Sequence, residues 1–410
     1  SILFLDIWSG IMRFAFEYEG EERKKPITSG IAIFTGSTVL YTIVLFGAGC
    51  IFDIKYLPLI YLYGIMMNIQ TLVGYLARTY GKNALYTTSG LVSSFVTVVC
   101  NILFIVYFRM DYSALFISAC IGYLVNIVVL GWGIKLPKLI SVSAFDKDLF
   151  KRMLIFSLPL CMNSVAYWFL TSYNRVAISN VLSVSENGLY SIAGRFSSFI
   201  TLFTTCFNMA WQEMSYSREA QKQTNQGEFY TTALNSYIKF LCMGLLMLIP
   251  AISVIFPIMI NESYADAKQL VPYYLLATIV SCISSFFGNI FTAIKKNNVL
   301  FYTTVAGSVV NVVSVHLLLP IVGVQGASIA LFLGFMVNNT IRAYLLKKEI
   351  QVSIDLKFIV AWAIVYIGVS YIYLHANAII NVLTVFVGGL LTLFVFRKEL
   401  KEILGTIKNR

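Results

Sequence analysis

Long apolar stretches recur along the chain, each about 18–27 residues, with short polar turns between them. A helix needs roughly 20 residues to cross a hydrocarbon core of about 30 Å. Twelve stretches are that long, at about 27–50, 56–77, 84–107, 112–134, 153–179, 187–210, 232–258, 268–294, 299–319, 323–346, 357–374 and 378–396. The pattern predicts an all-α polytopic membrane protein, since helices satisfy their own backbone groups where water is absent. A shorter apolar run over residues 1–16 opens the chain and is read as the inner end of a helix whose beginning is absent. The longest turns, 135–152 and 211–231, are too short to hold a soluble domain.

Charge gives the stretches a direction. With the turn that holds Arg23, Lys24 and Lys25 taken as inside, 24 of the 30 Lys and Arg fall on inside ends. Only Lys55, Arg109 and Lys268 fall outside, and Arg175, Arg195 and Lys239 lie within spans. One missed or extra helix would scramble such a split, so it supports the count and puts the C-terminal group from Arg397 to Arg410 inside. The net charge of +11 thus reports topology and attraction to anionic lipid headgroups, and nucleic acid is not an expected partner. A chain 58% apolar and 12% charged lies outside the range of soluble domains.

The same residues exclude several chemistries. Seven cysteines are scattered without a CxxC pair, and two histidines lie far apart, so neither a metal site nor a cofactor is expected. No GxxxxGK[ST] loop is present to bind ATP. No catalytic constellation of Ser, His and Asp or of paired carboxylates emerges, and the chain is read as a non-enzyme. Short, nearly uncharged outer loops weigh against a membrane-embedded polymerase or transferase.

The chain also repeats itself. Gly81-Lys82-Asn83 leads into Tyr86-Thr87-Thr88, and Lys295-Lys296-Asn297 leads into Tyr302-Thr303-Thr304, 216 residues on at the Tyr-Thr-Thr. Arg13 to Glu17 ends one helix much as Ala210-Trp211-Gln212-Glu213 ends another, 196 residues later. Six helices separate the members of each pair, so the halves run parallel, as in one class of secondary transporters whose cargo path lies between repeats. This gives a first half over 1–134, an inside linker over 135–152, a second half over 153–350, and a last helix pair with its tail over 351–410.

Polar residues inside the spans mark candidate sites. None of the nineteen acidic residues falls deep within the twelve spans, although Asp6 lies in the leading run. An unpaired cation in the bilayer costs at least about 2.5–3.5 kcal/mol, so Arg175 and Arg195 either snorkel, line a wet passage or meet an anion. Arg195 is the deeper, and the planar fork of Arg suits phosphate. Arg13 stands at an inner mouth, as a topology signal or as a contact for an entering anion. Asn163, Asn174 and Asn311 are candidates to line a cavity for a polyhydroxylated cargo, or else to bond neighbouring helices.

Several motifs carry a resemblance across nearly the whole chain. They are Leu5-Asp6-Ile7-Trp8-Ser9-Gly10 with Arg13 and Glu17-Tyr18-Glu19-Gly20, then Ser157-Leu158-Pro159-Leu160, Asn174-Arg175, and Gly188-Leu189-Tyr190-Ser191-Ile192-Ala193-Gly194-Arg195. Phe207-Asn208-Met209-Ala210-Trp211 and Leu319-Pro320 with Gly323 and Gly326-Ala327-Ser328-Ile329-Ala330 complete the set. In that order they resemble the polysaccharide-unit flippases (Wzx-type) of the multidrug/oligosaccharidyl-lipid/polysaccharide exporter superfamily. The sequence departs from the family at Asn174, where Asp is usual beside the Arg, and at His316, where Asn is common.

The resemblance implies fourteen helices in two six-helix lobes plus a final pair, with helix one and most of helix two not in this sequence. It implies alternating access and a cargo of undecaprenyl-diphosphate-linked oligosaccharide, flipped across a bacterial cytoplasmic membrane for O-antigen (lipopolysaccharide), capsule or exopolysaccharide assembly. Implied partners are membrane lipids, a proton or sodium ion, a polysaccharide polymerase and a chain-length regulator. In that setting Arg175 and Arg195 attract the anionic head, and Arg13 meets the diphosphate at entry. Rival readings are a multidrug/cation antiporter, which calls for carboxylates facing the cavity, and a peptidoglycan-precursor flippase of similar architecture.

Overall fold

The computed structural model describes residues 2–221 and 225–397; Lys222 and the expected inside tail beyond Arg397 lie outside the described residues. The described chain is all-α. Its helices are α1 (Ile7–Ala15), α2 (Lys24–Ile51), α3 (Leu57–Thr79), α4 (Asn83–Ile102), α5 (Ser113–Gly133), α6 (Lys147–Thr171) and α7 (Tyr173–Val181). They continue as α8 (Val184–Ala220), α9 (Gln226–Met259), α10 (Ala267–Ala293), α11 (Asn297–Val322), α12 (Gln325–Ile350), α13 (Leu356–His375) and α14 (Ala378–Val395). Only short helical turns lie between them, and no strand occurs among the described residues.

Eleven helical runs among the described residues are long and apolar enough to cross a membrane, against the twelve expected. The difference is α8, which contains the expected span 187–210. Arg195, Asn187 and a run of Ser and Thr dilute its hydropathy, although its 37 residues reach about 55 Å. The expected span 153–179 is a pair, α6 and α7, broken at Ser172. The expected loop 211–231 is also corrected. Its residues are mostly good helix formers, so α8 continues to Ala220 and α9 begins at Gln226.

The repeat is visible in the backbone. At the end of α3, Gly81 N donates to Arg78 O (2.9 Å) and Lys82 N to Ala77 O (2.9 Å). At the end of α10, Lys295 N donates to Thr292 O (3.1 Å) and Lys296 N to Phe291 O (2.8 Å). Both turns pass through a left-handed residue, Gly81 at φ 68° and Lys295 at φ 58°, which closes the helix and frees the chain to reverse. The following helices pair closely in each half. Ser93 Oγ of α4 donates to Gly122 O of α5 (2.7 Å), and α11 crosses α12 at Gly307 and Gly334. A Cβ on either glycine would lie 2.7 Å from the other's carbonyl oxygen, so only glycine permits that approach. Small residues serve this purpose because lipid supplies no hydrophobic drive for helix association.

The chain divides into two compact units. The first comprises Ser1–Val165, Gln212–Lys222 and Phe291–Phe301. It therefore holds α1–α5 together with the inner parts of α6 and α8 and the α10–α11 turn. In it α1 packs on α2 and α3, and α5 on α3 and α4. The linker folds back under α2, where Ser29 Oγ bonds Asp146 O and accepts from Asp146 N, both at 3.2 Å. The second unit comprises Ala166–Trp211, Gln223–Ile290 and Tyr302–Arg410, with α9 packed on α13 and α14. Burial ranks the helices. The most apolar window of α10 is 67% buried and that of α14 is 11%, so α10 is a core helix and α14 a peripheral one.

Candidate functional site

The half of the second unit expected to face outward holds Arg175 and Arg195, the two arginines that the sequence places within spans. At the α6–α7 break Ser172 N still donates to Trp168 O (2.8 Å), and Arg175 N restarts the helix on Ser172 O (3.2 Å). That offset turns Asn174 inward, fully buried, and leaves Arg175 exposed. Arg175 interacts with the Tyr274 hydroxyl of α10, and Tyr274 packs edge-on against Tyr190 of α8 with ring centroids 4.9 Å apart. Gly194 lies against the same tyrosine, since a Cβ there would stand 3.0 Å from the Tyr274 hydroxyl. Tyr274 thus brings Arg175 beside the stretch of α8 that carries Arg195.

Arg195 is exposed. Among the described residues neither Arg175 nor Arg195 forms an ion pair, and Arg195 has no hydrogen-bond partner. Their charges remain available to an anion. Nearby, the Tyr173 hydroxyl and His316 Nε2 lie 2.9 Å apart. Lys239 is half-buried, with its ammonium 5.8 Å from the Phe358 ring centroid.

The amides do other work. Asn174 Nδ2 donates to Ala327 O of α12 (2.8 Å), and Asn311 Nδ2 of α11 donates to Asn174 Oδ1 (2.8 Å) and Phe169 O (3.2 Å). Both side chains are wholly buried and knit α6, α7, α11 and α12 together, the second of the two roles open to them in the sequence. Asn163 lies in the first unit, half-buried on α6.

Arg13 lies in the first unit, at the inner end of α1, only 4% exposed. Its Nε donates to Ala293 O (2.7 Å), its Nη1 pairs with Glu17 (3.0 Å), and its guanidinium carbon is 5.9 Å from the Tyr216 ring centroid. Lys295 Nζ reaches the same Glu17 oxygen (2.6 Å) and lies 4.1 Å from the Phe14 ring centroid, which Arg152 approaches to 5.4 Å. Burial lowers the Lys295 ammonium below its ordinary pKa, against the pull of Glu17. A second cluster repeats the design. Arg78, 4% exposed, donates from Nε to Glu213 Oε1 (2.8 Å), and Asn83 Nδ2 donates to Glu213 Oε2 (2.9 Å).

Sequence reasoning counted Arg78 and Arg342 as inside-end topology signals and missed their contacts. Arg342 is fully sequestered between α10, α11 and α12. Its Nε donates to Thr303 Oγ1 (2.9 Å), Nη1 to Ser284 O (2.8 Å) and Oγ (2.9 Å), and Nη2 to Thr304 Oγ1 (2.9 Å). The signal was present in the repeat. Thr303 and Thr304 belong to the Tyr-Thr-Thr motif, and a step of 216 residues back from Arg342 lands on Asn126. Asn126 is likewise buried, and its Nδ2 donates to Ser89 Oγ at 3.3 Å, beside the first copy of the motif.

A family described as polysaccharide biosynthesis protein matches residues 66–261. Among curated proteins none matches the chain. Solved structures are similar in fold. The MATE transporter VcmN of Vibrio cholerae, as a point mutant, aligns with a TM-score of 0.69 at 14% identity, covering 85% of each chain. A second mutant MATE transporter aligns with a TM-score of 0.70 at 12% identity, covering 85% of this chain and 83% of that one. A MOP superfamily transporter from Pyrococcus furiosus, described as having a binding pocket of reverse polarity that suggests a different function, gives 0.69 at 14%, with the same coverages of 85% and 83%. The chain therefore has the two-lobed fold of these transporters, and its residues 66–261 are similar to the polysaccharide biosynthesis family, which bears out the resemblance read in the sequence.

Proposed function

With that fold and family segment as premise, we propose that the protein flips an undecaprenyl-diphosphate-linked oligosaccharide across a bacterial cytoplasmic membrane for surface-polysaccharide assembly. Segments 1–134 and 153–350 are the two halves that alternate access, and the tail beyond 396 is cytoplasmic. One observation carries the reading. Arg175 and Arg195 stand exposed in an apolar outer half, and no carboxylate pairs with either among the described residues. An ammonium drug would be repelled there, whereas a diphosphate gains charge-assisted bonds and relieves the cost of an unanswered cation. Arg13 takes the head at the inner side, and the lipid tail stays in the bilayer.

The test is polysaccharide display in cells that depend on this chain. Arg195→Ala abolishes display at normal membrane abundance, and Arg195→Lys keeps part of it because the charge survives without the fork. Full display from well-inserted Arg195→Ala protein overturns the assignment.

A further inference from the structure

The two inner clusters are related by the repeat and are reciprocal. Glu17 and Glu213 are 196 residues apart, the offset at which Arg13 to Glu17 matches the stretch around Trp211; Glu17 lies just past the end of α1, whereas Glu213 lies within α8, which runs on to Ala220. The α3–α4 and α10–α11 turns match each other in hydrogen bonding and in their left-handed residue. Each glutamate binds the turn of the other half. Glu17 of the first half holds Lys295 of the α10–α11 turn, and Glu213 of the second holds Arg78 and Asn83, which flank the α3–α4 turn.

The layering within each cluster is also shared. Side-chain exposure is 5% for Arg13 and 4% for Arg78, but 26% for Glu17 and 19% for Glu213. The carboxylates lie on the water side of the arginines they neutralise. A second anion from the same side meets the carboxylate first and competes with it for the same donors. At Glu17 the balance favours a stronger anion, because Arg13 and Lys295 share one carboxylate, and Arg152 adds a third cation against the Phe14 ring that Lys295 also approaches. A diphosphate carries more charge and more acceptor oxygens than a carboxylate, so it suits that surplus.

We propose that Glu17 and Glu213 are exchangeable latches, each holding its own half to a turn of the other, and that a diphosphate releases the inner face by displacing Glu17 from Arg13 and Lys295. The displacement arm rests on the diphosphate cargo proposed above. The reciprocal latch rests on the repeat geometry alone. No covalent step is involved; one anion replaces another on the same donors.

Inorganic diphosphate binding to the purified full chain tests the exchange, with hydrogen exchange over 291–301 as the readout of latch opening. Glu17→Gln removes the internal competitor, so it binds diphosphate about tenfold more tightly than the unaltered chain, the size expected for one charge-assisted bond. Glu17→Asp keeps the competitor and the original affinity. Arg13→Gln added to Glu17→Gln cancels the gain. In the unaltered chain diphosphate speeds exchange over 291–301 as Glu17→Gln does by itself, and sulfate at equal ionic strength does not. Equal diphosphate affinity for the unaltered and Glu17→Gln chains overturns the proposal, as does exchange over 291–301 that neither Glu17→Gln nor diphosphate changes. The two readings fail separately. Full display by Arg195→Ala with the tenfold gain intact removes the outer assignment only, and loss of display without the gain removes the latch only.

Discussion

The inner cluster of the first unit and the outer cluster of the second use the same side chain and differ in what answers it. Arg13 and Arg78 are buried beside Glu17 and Glu213, with bonds of 2.7–3.0 Å to protein acceptors. Arg175 and Arg195 are exposed, the first beside only a tyrosine hydroxyl and the second with no partner among the described residues. A guanidinium whose charge is answered internally holds structure together. One left unanswered in an apolar setting keeps its binding capacity for something that arrives.

The largest effect that would break this comparison belongs to Arg195. Arg195→Ala should lower transport by about 100-fold, the upper range for losing charge-assisted bonds, with thermal stability little changed. A matching fall in unfolding temperature would make Arg195 structural, and the contrast would collapse. Arg78→Ala should do the reverse, costing about 2–4 kcal/mol of stability by leaving the largely buried Glu213 carboxylate without its cation and with Asn83 as its remaining donor. In a double-mutant cycle with Glu213→Gln, scored by thermal unfolding, the two losses should be less than additive.

Arg342 sharpens the contrast, because its charge is answered by hydroxyls and a carbonyl. Arg342→Ala leaves Ser284, Thr303 and Thr304 short of donors and should cost about 2–3 kcal/mol. Its repeat counterpart is a lighter tie, and Asn126→Ala should cost about 0.6 kcal/mol, the typical value for a hydrogen bond within a membrane protein. The smallest effect is a slope with pH. Burial lowers the pKa of Lys295 in the folded chain, so the unfolded chain binds more protons between that lowered value and the ordinary lysine range. Stability should therefore rise with pH across that window, and Lys295→Met should flatten the rise in thermal melts at a series of pH values.

Eleven of the twelve spans and the matching turns of the repeat were legible in the sequence because each depends on hydrophobic periodicity and short motifs, which are local properties. The α6–α7 break was not. Ser172 has neither proline nor glycine beside it, and the interruption is fixed by where Asn174 must reach, namely Ala327 and Asn311. Two candidate amides, Asn174 and Asn311, could be recognised as polar and intramembrane but not as each other's partner, since 137 residues separate them. The Arg78–Glu213 pair was hidden for the same reason, with 135 residues between its members. α8 shows the opposite case. It was read as a span from its pattern although its polar load takes it below the hydropathy of the other eleven.

The unequal fastening of the two copies of the Tyr-Thr-Thr motif has a mechanical consequence. α10, α11 and α12 are bolted at one point by a guanidinium whose bonds include four of 2.8–2.9 Å, so they form a stiff plate. At the corresponding point α4 and α5 share one amide contact of 3.3 Å, with a hydroxyl bond of 2.7 Å from Ser93 to Gly122 one turn away, and among the described residues no guanidinium ties a third helix to them there. A body under load bends where it is most compliant. Flexure in this molecule should therefore concentrate in the first copy, while the second moves as a rigid slab.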